Sequence, residues 1–155
     1  MTSLATLMTD DHRACDHALA SAEKHVLQRD WSAASQALGH FADMLGAHFD
    51  AEEQTLFPRF EAATGMIGGP TAVMRAEHAE MRILLGNLEA AVDAQDGDEF
   101  AGEAETLLIM IQQHNMKEEN ILYPLCDARL SAQTGELVTL LAEQLGHRAT
   151  TEITS

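Results

Sequence analysis

The chain has 155 residues, of which 46% are hydrophobic, a length and composition typical of one compact domain. Acidic residues number 25 against 9 lysines and arginines, which gives a formal net charge of −16. Such a surface repels phosphate backbones and anionic lipids, because both are bound through clustered Lys and Arg. We therefore expect no nucleic-acid partner and no membrane association, and no apolar run approaches the ~18 residues of a membrane span.

Two cysteines, Cys15 and Cys126, lie far apart, a pattern typical of neither a disulfide framework nor a thiolate zinc site. We expect both to be small buried apolar residues. The N-terminus lacks the basic residues of a secretory signal peptide and reaches acids at Asp10 and Asp11. A cytoplasmic protein is therefore expected.

Abundant Ala and Leu, with few β-branched residues, favour helices over strands. Gly and Pro clusters and Asp-rich breaks divide the chain into five predicted helices, spanning about 9–28, 32–63, 70–94, 98–129 and 134–146. Ser32 is the expected cap of the second helix. Short connections force neighbouring helices antiparallel, so the first four form an up-down-up-down bundle with a short extra helix. We predict a single domain over 1–155, with the bundle at about 4–130 and the last helix and tail at 131–155.

The sequence repeats at an offset of 66 residues, the separation of His12 from His78. At this offset the segment 48–58, HFDAEEQTLFP, aligns with the segment 114–124, HNMKEENILYP. Each half is therefore a helical hairpin with one histidine on its first helix and a His-x3-Glu pair on its second.

His48 and Glu52 lie one turn apart on the same helix face, as do His114 and Glu118. Both pairs interrupt apolar stripes and should face the core, where buried carboxylates need a compensating charge. We therefore predict a site for two divalent cations, held by His12, His48, Glu52, His78, His114 and Glu118. Iron or manganese suits these donors best, with zinc as an alternative.

Residues around this site carry further expectations. On a regular helix Glu53 lies about 140° from His48 and should face outward, and Tyr123 lies opposite His114 and should only pack. Asp16 and Arg82 occupy equivalent repeat positions and either pair beside the site or are solvated charges.

Methionine precedes each of the four histidines by four residues, at Met8, Met44, Met74 and Met110. These side chains should form apolar layers above and below the layer of His and Glu. They either exclude water from the metal site or simply fill gaps in the core. The remaining histidines have no repeat partner and are expected at the surface or rim: His17, His25, His40 and His147.

The chain resembles the hemerythrin-like, or HHE cation-binding, family over about residues 4–130. The resemblance rests on motifs in the expected order: Asp11-His12, His48-x3-Glu52, Glu77-His78 and His114-x3-Glu118. It implies a non-haem di-iron centre inside a four-helix bundle, with oxo or hydroxo and carboxylate bridges. Members of this family bind oxygen, handle nitric oxide or peroxide, sense oxygen or iron, or help to repair iron–sulfur clusters.

Two positions depart from the oxygen-carrying hemerythrins. Their fifth histidine corresponds to Met74, and their last carboxylate ligand corresponds to Glu119. The repeat and the helix face favour Glu118, which leaves Glu119 as the alternative. The set of four His and two Glu is closest to the di-iron domain of iron–sulfur cluster repair proteins. Those proteins add an N-terminal cysteine-bearing segment, which we do not expect here because the given chain begins close to His12. Neither reversible oxygen carriage nor full repair activity is therefore expected.

The leading hypothesis is a di-iron protein that binds or reduces oxygen, nitric oxide or peroxide in a stress response, with an unidentified electron donor. The alternative is a module that senses oxygen or iron, or stores iron, and acts through partners. A metal-free helical interaction protein is the third hypothesis. Both an enzyme and a binding protein are consistent with the site, and no catalytic residue is assigned.

Overall fold

The computed structural model describes residues 2–146, and all regular structure in that range is helical. The helices are α1 (Leu4–Leu27), α2 (Trp31–Ala51), α3 (Phe57–Thr64), α4 (Pro70–Asp93), α5 (Gly97–Lys117), α6 (Tyr123–Arg129) and α7 (Thr134–Gln144). A π-helical turn, Glu52–Leu56, joins α2 to α3, and a second one, Glu118–Leu122, joins α5 to α6. The predicted all-α bundle with a short C-terminal helix is confirmed. None of the described helices is long and apolar enough to cross a bilayer.

α1 begins at Leu4, earlier than predicted, because two different groups cap it. The hydroxyl of Ser3 accepts a hydrogen bond from the N–H of Thr6. The carboxylate of Asp127, on α6, accepts hydrogen bonds from the N–H groups of Leu4 and Ala5 at 2.9 and 3.1 Å. A carboxylate at this end satisfies free N–H groups and the positive pole of the helix. Asp127 is far away in sequence, so local pattern alone could not reveal this cap.

The two hairpins turn in the same way. Arg29 and Gln95 adopt left-handed backbone conformations, with φ of 58° and 55°. The next residues, Asp30 and Asp96, cap α2 and α5 by accepting hydrogen bonds from the third N–H along. These positions are also separated by 66 residues, so the repeat extends to the turns. Asp30, rather than the predicted Ser32, is the cap of α2.

The core consists of two apolar clusters separated by a polar layer. The first cluster lies toward the hairpin turns and includes Leu19, Phe41, Leu88, Phe100 and Leu107. The second lies toward the opposite end and includes Leu4, Leu56, Phe60, Leu122 and, from α7, Leu137 and Leu141. Leu137 and Leu141 are fully buried, so α7 closes the second cluster.

Methionines flank the polar layer on both sides, as the sequence predicts. Met44 is buried in the first cluster, and Met110 packs against it while partly exposed. Met8 and Met74 are buried in the second cluster. The position where oxygen-carrying hemerythrins have a fifth histidine is therefore apolar and buried here.

Candidate metal centre

The polar layer brings together all six residues of the predicted site. Their side chains are almost inaccessible, from 0% exposed for Glu52, Glu118 and His78 to 5% for His12. Their ligating atoms form two groups, each within 4.8 Å: Glu52, His78, His114 and Glu118, and His12, His48 and Glu118. Glu118 belongs to both groups and, with Glu52, lies at the centre. We refer to Glu52 and Glu118 as the central glutamates.

All four imidazoles direct Nε2 toward the central glutamates. Three of the distances from Nε2 to a central carboxylate oxygen lie between 3.0 and 3.3 Å, and the fourth is longer. They are His12–Glu118, 3.0 Å; His78–Glu52, 3.1 Å; His114–Glu118, 3.3 Å; and His48–Glu52, 3.6 Å.

Each imidazole also holds Nδ1 against a second carboxylate, on the outer side of the layer. We refer to these four residues as the outer carboxylates. The distances from Nδ1 to the carboxylate oxygen are as follows: His48–Asp11, 2.7 Å; His12–Glu119, 2.7 Å; His78–Glu53, 2.6 Å; and His114–Glu77, 2.9 Å. An ionised carboxylate only accepts hydrogen bonds, so each Nδ1 carries the proton. In neutral imidazoles of this tautomer, the Nε2 lone pairs face the centre, the arrangement typical of metal-binding histidines.

Glu53 does not face outward as the sequence predicted. It reaches across to His78 on α4, and its side chain is 22% exposed. A helical wheel describes only the helix that carries Glu53, so it contains no information on His78 of the neighbouring helix. A usable signal was present, because Glu53 and Glu119, like Asp11 and Glu77, are separated by the repeat offset. Glu119 is therefore an outer carboxylate, whereas Glu118 lies at the centre.

Two cations hold outer carboxylates in place. Arg82 donates to Glu53 at 2.8 Å, and Lys117 donates to Glu77 at 2.5 Å. Arg82 also bonds Asp50 at 3.3 Å. The suggested pairing of Arg82 with Asp16 is therefore wrong, because nearer carboxylates on the neighbouring helix take the guanidinium.

Tyr123 was expected only to pack, but its hydroxyl lies in the centre of the site. The hydroxyl oxygen is 2.7 Å from a carboxylate oxygen of Glu52 and 3.0 Å from one of Glu118. It is 3.2 Å from Nε2 of both His12 and His48. The phenol therefore contacts both central glutamates and two of the four imidazoles.

The π-turn explains this placement. The N–H of Tyr123 donates to the carbonyl of Glu118, five residues back, instead of four. One extra residue in a turn rotates the following helix by roughly 100°, which brings Tyr123 round to the face of His114. Pro124 accounts for the wide turn, since it lacks an N–H and its ring would clash with the carbonyl four residues back in a regular helix. A proline inside a predicted helix is therefore the feature of the sequence that indicates this wide turn.

The charges of the layer alter its protonation. Burial by itself would lower the pKa of His48, but the charge of Glu52 and the hydrogen bond to Asp11 outweigh it and raise that pKa to about 10. For Glu52, burial acts upward, but His48 and the neighbouring hydrogen bonds hold its pKa well below the ordinary value. Burial, and then the charges of Glu118 and Glu52, raise the pKa of Tyr123. Without a metal ion, His48 is therefore an imidazolium paired with carboxylates, and the phenol of Tyr123 beside it is neutral.

Four buried polar atoms of the larger donor group make no hydrogen bond within the described residues. They are Oε1 of Glu52, Nε2 of His78, Nε2 of His114 and Oε2 of Glu118. Buried polar atoms are costly unless they are satisfied. One cation bound by this group would satisfy all four, so the donor set fits a metal ion.

A small cavity of about 10 Å³ lies beside the smaller donor group. His12 and His48 line it, together with Cys15 and the apolar side chains of Met81 and Ile111. This volume is about that of one water molecule. The cavity therefore matches only a very small ligand.

The remaining histidines that the structure describes lie away from the centre. His17 and His40 are exposed and His25 is half-buried, as predicted, whereas His147 falls outside the described residues. Cys15 and Cys126 are both buried.

The sequence was compared with models of known protein families. The model of the hemerythrin HHE cation-binding domain matches residues 3–126. The chain belongs to the hemerythrin family. The match covers α1 to α5 and the first part of α6, includes every residue of both donor groups, and ends before α7. Together with the buried cluster of His and Glu, it supports a metal-binding hemerythrin domain. Neither the curated proteins nor the solved structures give a significant match.

Proposed function

We propose that this hemerythrin-domain protein holds two non-haem iron ions and uses them to bind or reduce oxygen, nitric oxide or peroxide in a stress response. The observation that carries the proposal is the convergence of four Nε2 atoms on two buried glutamates, in two donor groups that share Glu118. The proposed ligands are His12, His48, Glu52, His78, His114 and Glu118. Manganese or zinc are alternative occupants of the same donors.

The charges of the layer support two ions rather than one. Two central glutamates and four outer carboxylates contribute six negative charges, and Arg82 and Lys117 contribute two positive ones. With neutral imidazoles the net charge is −4, which two divalent cations balance. One divalent cation would leave two negative charges in and around the layer uncompensated, and the two central glutamates among them are fully buried.

The chain's own residues set the conditions for chemistry at such a centre. Iron, when bound, supplies reversible one-electron steps. The outer carboxylates fix the imidazole rings and keep Nε2 available, and the apolar clusters on both sides exclude water. The smaller donor group has one protein ligand fewer, and the cavity lies against it. A diatomic molecule or peroxide is therefore expected to approach beside His12 and His48.

The proposal is tested by loading the protein with ferrous iron without oxygen, measuring iron content, and following absorption as oxygen is added. We expect two irons per chain and direct conversion to a stable diferric spectrum, without a reversible oxygen adduct. Nitric oxide and peroxide are then tested on the reduced protein. His48→Ala should lose iron, whereas His40→Ala, an exposed histidine on the same helix, should retain it. Failure of the unaltered protein to retain iron would refute the proposal.

One observation favours a sensing or storage module instead. The donor groups are closed, and the cavity beside them is very small. In that case metal binding would act mainly on stability or on a partner, since binding and folding are coupled. Iron that is retained but does not react with any of the three oxidants would favour this second function.

A further inference from the structure

The two donor groups differ in number of ligands, and Tyr123 lies on the poorer side. Glu52, His78, His114 and Glu118 form a group of four, whereas His12, His48 and Glu118 form a group of three. Tyr123 contacts both imidazoles of the group of three, each at 3.2 Å.

The spacing around the Tyr123 oxygen is that of ligands sharing one ion. Neighbouring ligands of an octahedral ion, each about 2.1 Å from it, lie about 3.0 Å apart. The phenol oxygen lies 3.0 Å from Glu118 Oε1 and 3.2 Å from Nε2 of His12 and of His48. A cation reached by these three donors is therefore within reach of the phenol as well.

We propose that Tyr123 is a further iron ligand, bound as a phenolate to the ion held by His12, His48 and Glu118. This inference rests on the proposed di-iron function and deepens it. The O–H bond of the phenol breaks, an iron–oxygen bond forms, and one proton leaves to solvent. No electron is transferred in this step.

The repeat provides a tyrosine at only one of the two donor groups. The counterpart of Tyr123 in the first half is Phe57, whose ring stacks near His78 at 5.8 Å between centroids and carries no oxygen. Only one ion therefore receives an anionic oxygen from an aromatic residue. That donor stabilises the higher charge of ferric iron, so the ion beside His12 and His48 should be the more readily oxidised of the two.

Spectroscopy tests the ligand directly. Ferric phenolates absorb visible light by charge transfer from phenolate to iron, and resonance Raman excitation in that band enhances tyrosine ring modes. We expect such a band in the iron-loaded, air-oxidised protein and its complete loss in Tyr123→Phe, which retains the ring.

A mutation-free test is also available, because Tyr123 is the only tyrosine in the chain. Protein produced with ring-deuterated tyrosine should show shifted ring modes in the same Raman spectrum. Iron binding to the unaltered protein should also release one proton more than binding to Tyr123→Phe.

The possible results distinguish failure of the tyrosine ligand from failure of the proposed di-iron function. If the unaltered protein retains no iron, the proposed function fails. If it retains two irons but has no tyrosine modes, or if Tyr123→Phe has the same visible spectrum, the ligand is refuted and Tyr123 only positions the central glutamates. Tyrosine modes that shift on deuteration establish the ligand even if Tyr123→Phe fails to fold.

Discussion

Glu118 belongs to both donor groups, whereas Glu52 belongs to only one. Replacing each of them by glutamine should therefore have different effects on the number of ions bound. Glu52→Gln leaves three charged or imidazole donors in each group. Glu118→Gln leaves three in one group and two in the other. Losing even an outer partner of a ligand typically costs 10–100-fold in metal affinity, so losing a ligand should cost at least about 100-fold. In a metal buffer in which the unaltered protein holds two irons, we expect one iron in Glu52→Gln and less than one in Glu118→Gln.

The assay is iron content after dialysis against a chelator that sets the free ferrous concentration. Glutamine has nearly the shape of glutamate, so packing is preserved and the difference reports on charge and ligation. Glu105→Gln, at an exposed position on α5, is the control and should hold two irons. Equal iron loss in Glu52→Gln and Glu118→Gln would refute the assignment of Glu118 to both groups.

Three further predictions concern stability and the surroundings of the site. In the metal-free protein, the pKa of His48 is raised from 6.5 to about 10. The charged form of His48 should therefore stabilise the fold by up to roughly 5 kcal/mol below pH 6.5. This stabilisation should be lost as the pH rises from 6.5 to 10, as a fall in the free energy of unfolding measured with urea. Arg82→Met removes the cation on Glu53 and should weaken iron binding roughly tenfold in chelator competition. Leu141→Ala leaves a cavity beneath α7 and should lower the free energy of unfolding by about 2–5 kcal/mol.

Each of these has a control. His48→Gln should flatten the pH dependence of metal-free stability, and an unchanged slope would contradict the role of His48. Arg13→Met, at a side chain 72% exposed, should not alter iron affinity, so an equal loss would indicate a general charge effect. Leu27→Ala, at a residue 84% exposed, should change stability by less than about 0.5 kcal/mol. A similar small effect for Leu141→Ala would show that α7 is not part of the core.

The sequence predicted the bundle and the convergence of the six residues because both depend on periodicity. Apolar stripes interrupted by His48 and Glu52, and repeated in the second half, require those side chains to face inward whatever the details of packing. The fifth helix was predicted from its own pattern, but the burial of Leu137 and Leu141 results from contact with the second apolar cluster.

The outer carboxylates and Tyr123 could not be placed by the same reasoning. The outward orientation predicted for Glu53 depends only on its own helix, whereas its partner His78 lies on a neighbouring helix. Tyr123 was judged on a regular helix, although Pro124 forces a wide turn that rotates it inward. In both cases the missing information was contact between helices or a departure from ideal helical geometry, neither of which residue spacing contains.

The division of the core into two apolar clusters has a consequence for folding cooperativity. Hydrophobic contacts do not run unbroken through the bundle, because a layer of imidazoles and carboxylates separates them. Two bound ions would join all four bundle helices at that layer and couple the halves into one unfolding unit. Without them, the two ends are linked by the helices that run through both, by ion pairs and by the stacking of Phe49 and Phe57 on His78. Calorimetry of the metal-free protein should therefore resolve a broader or divided transition.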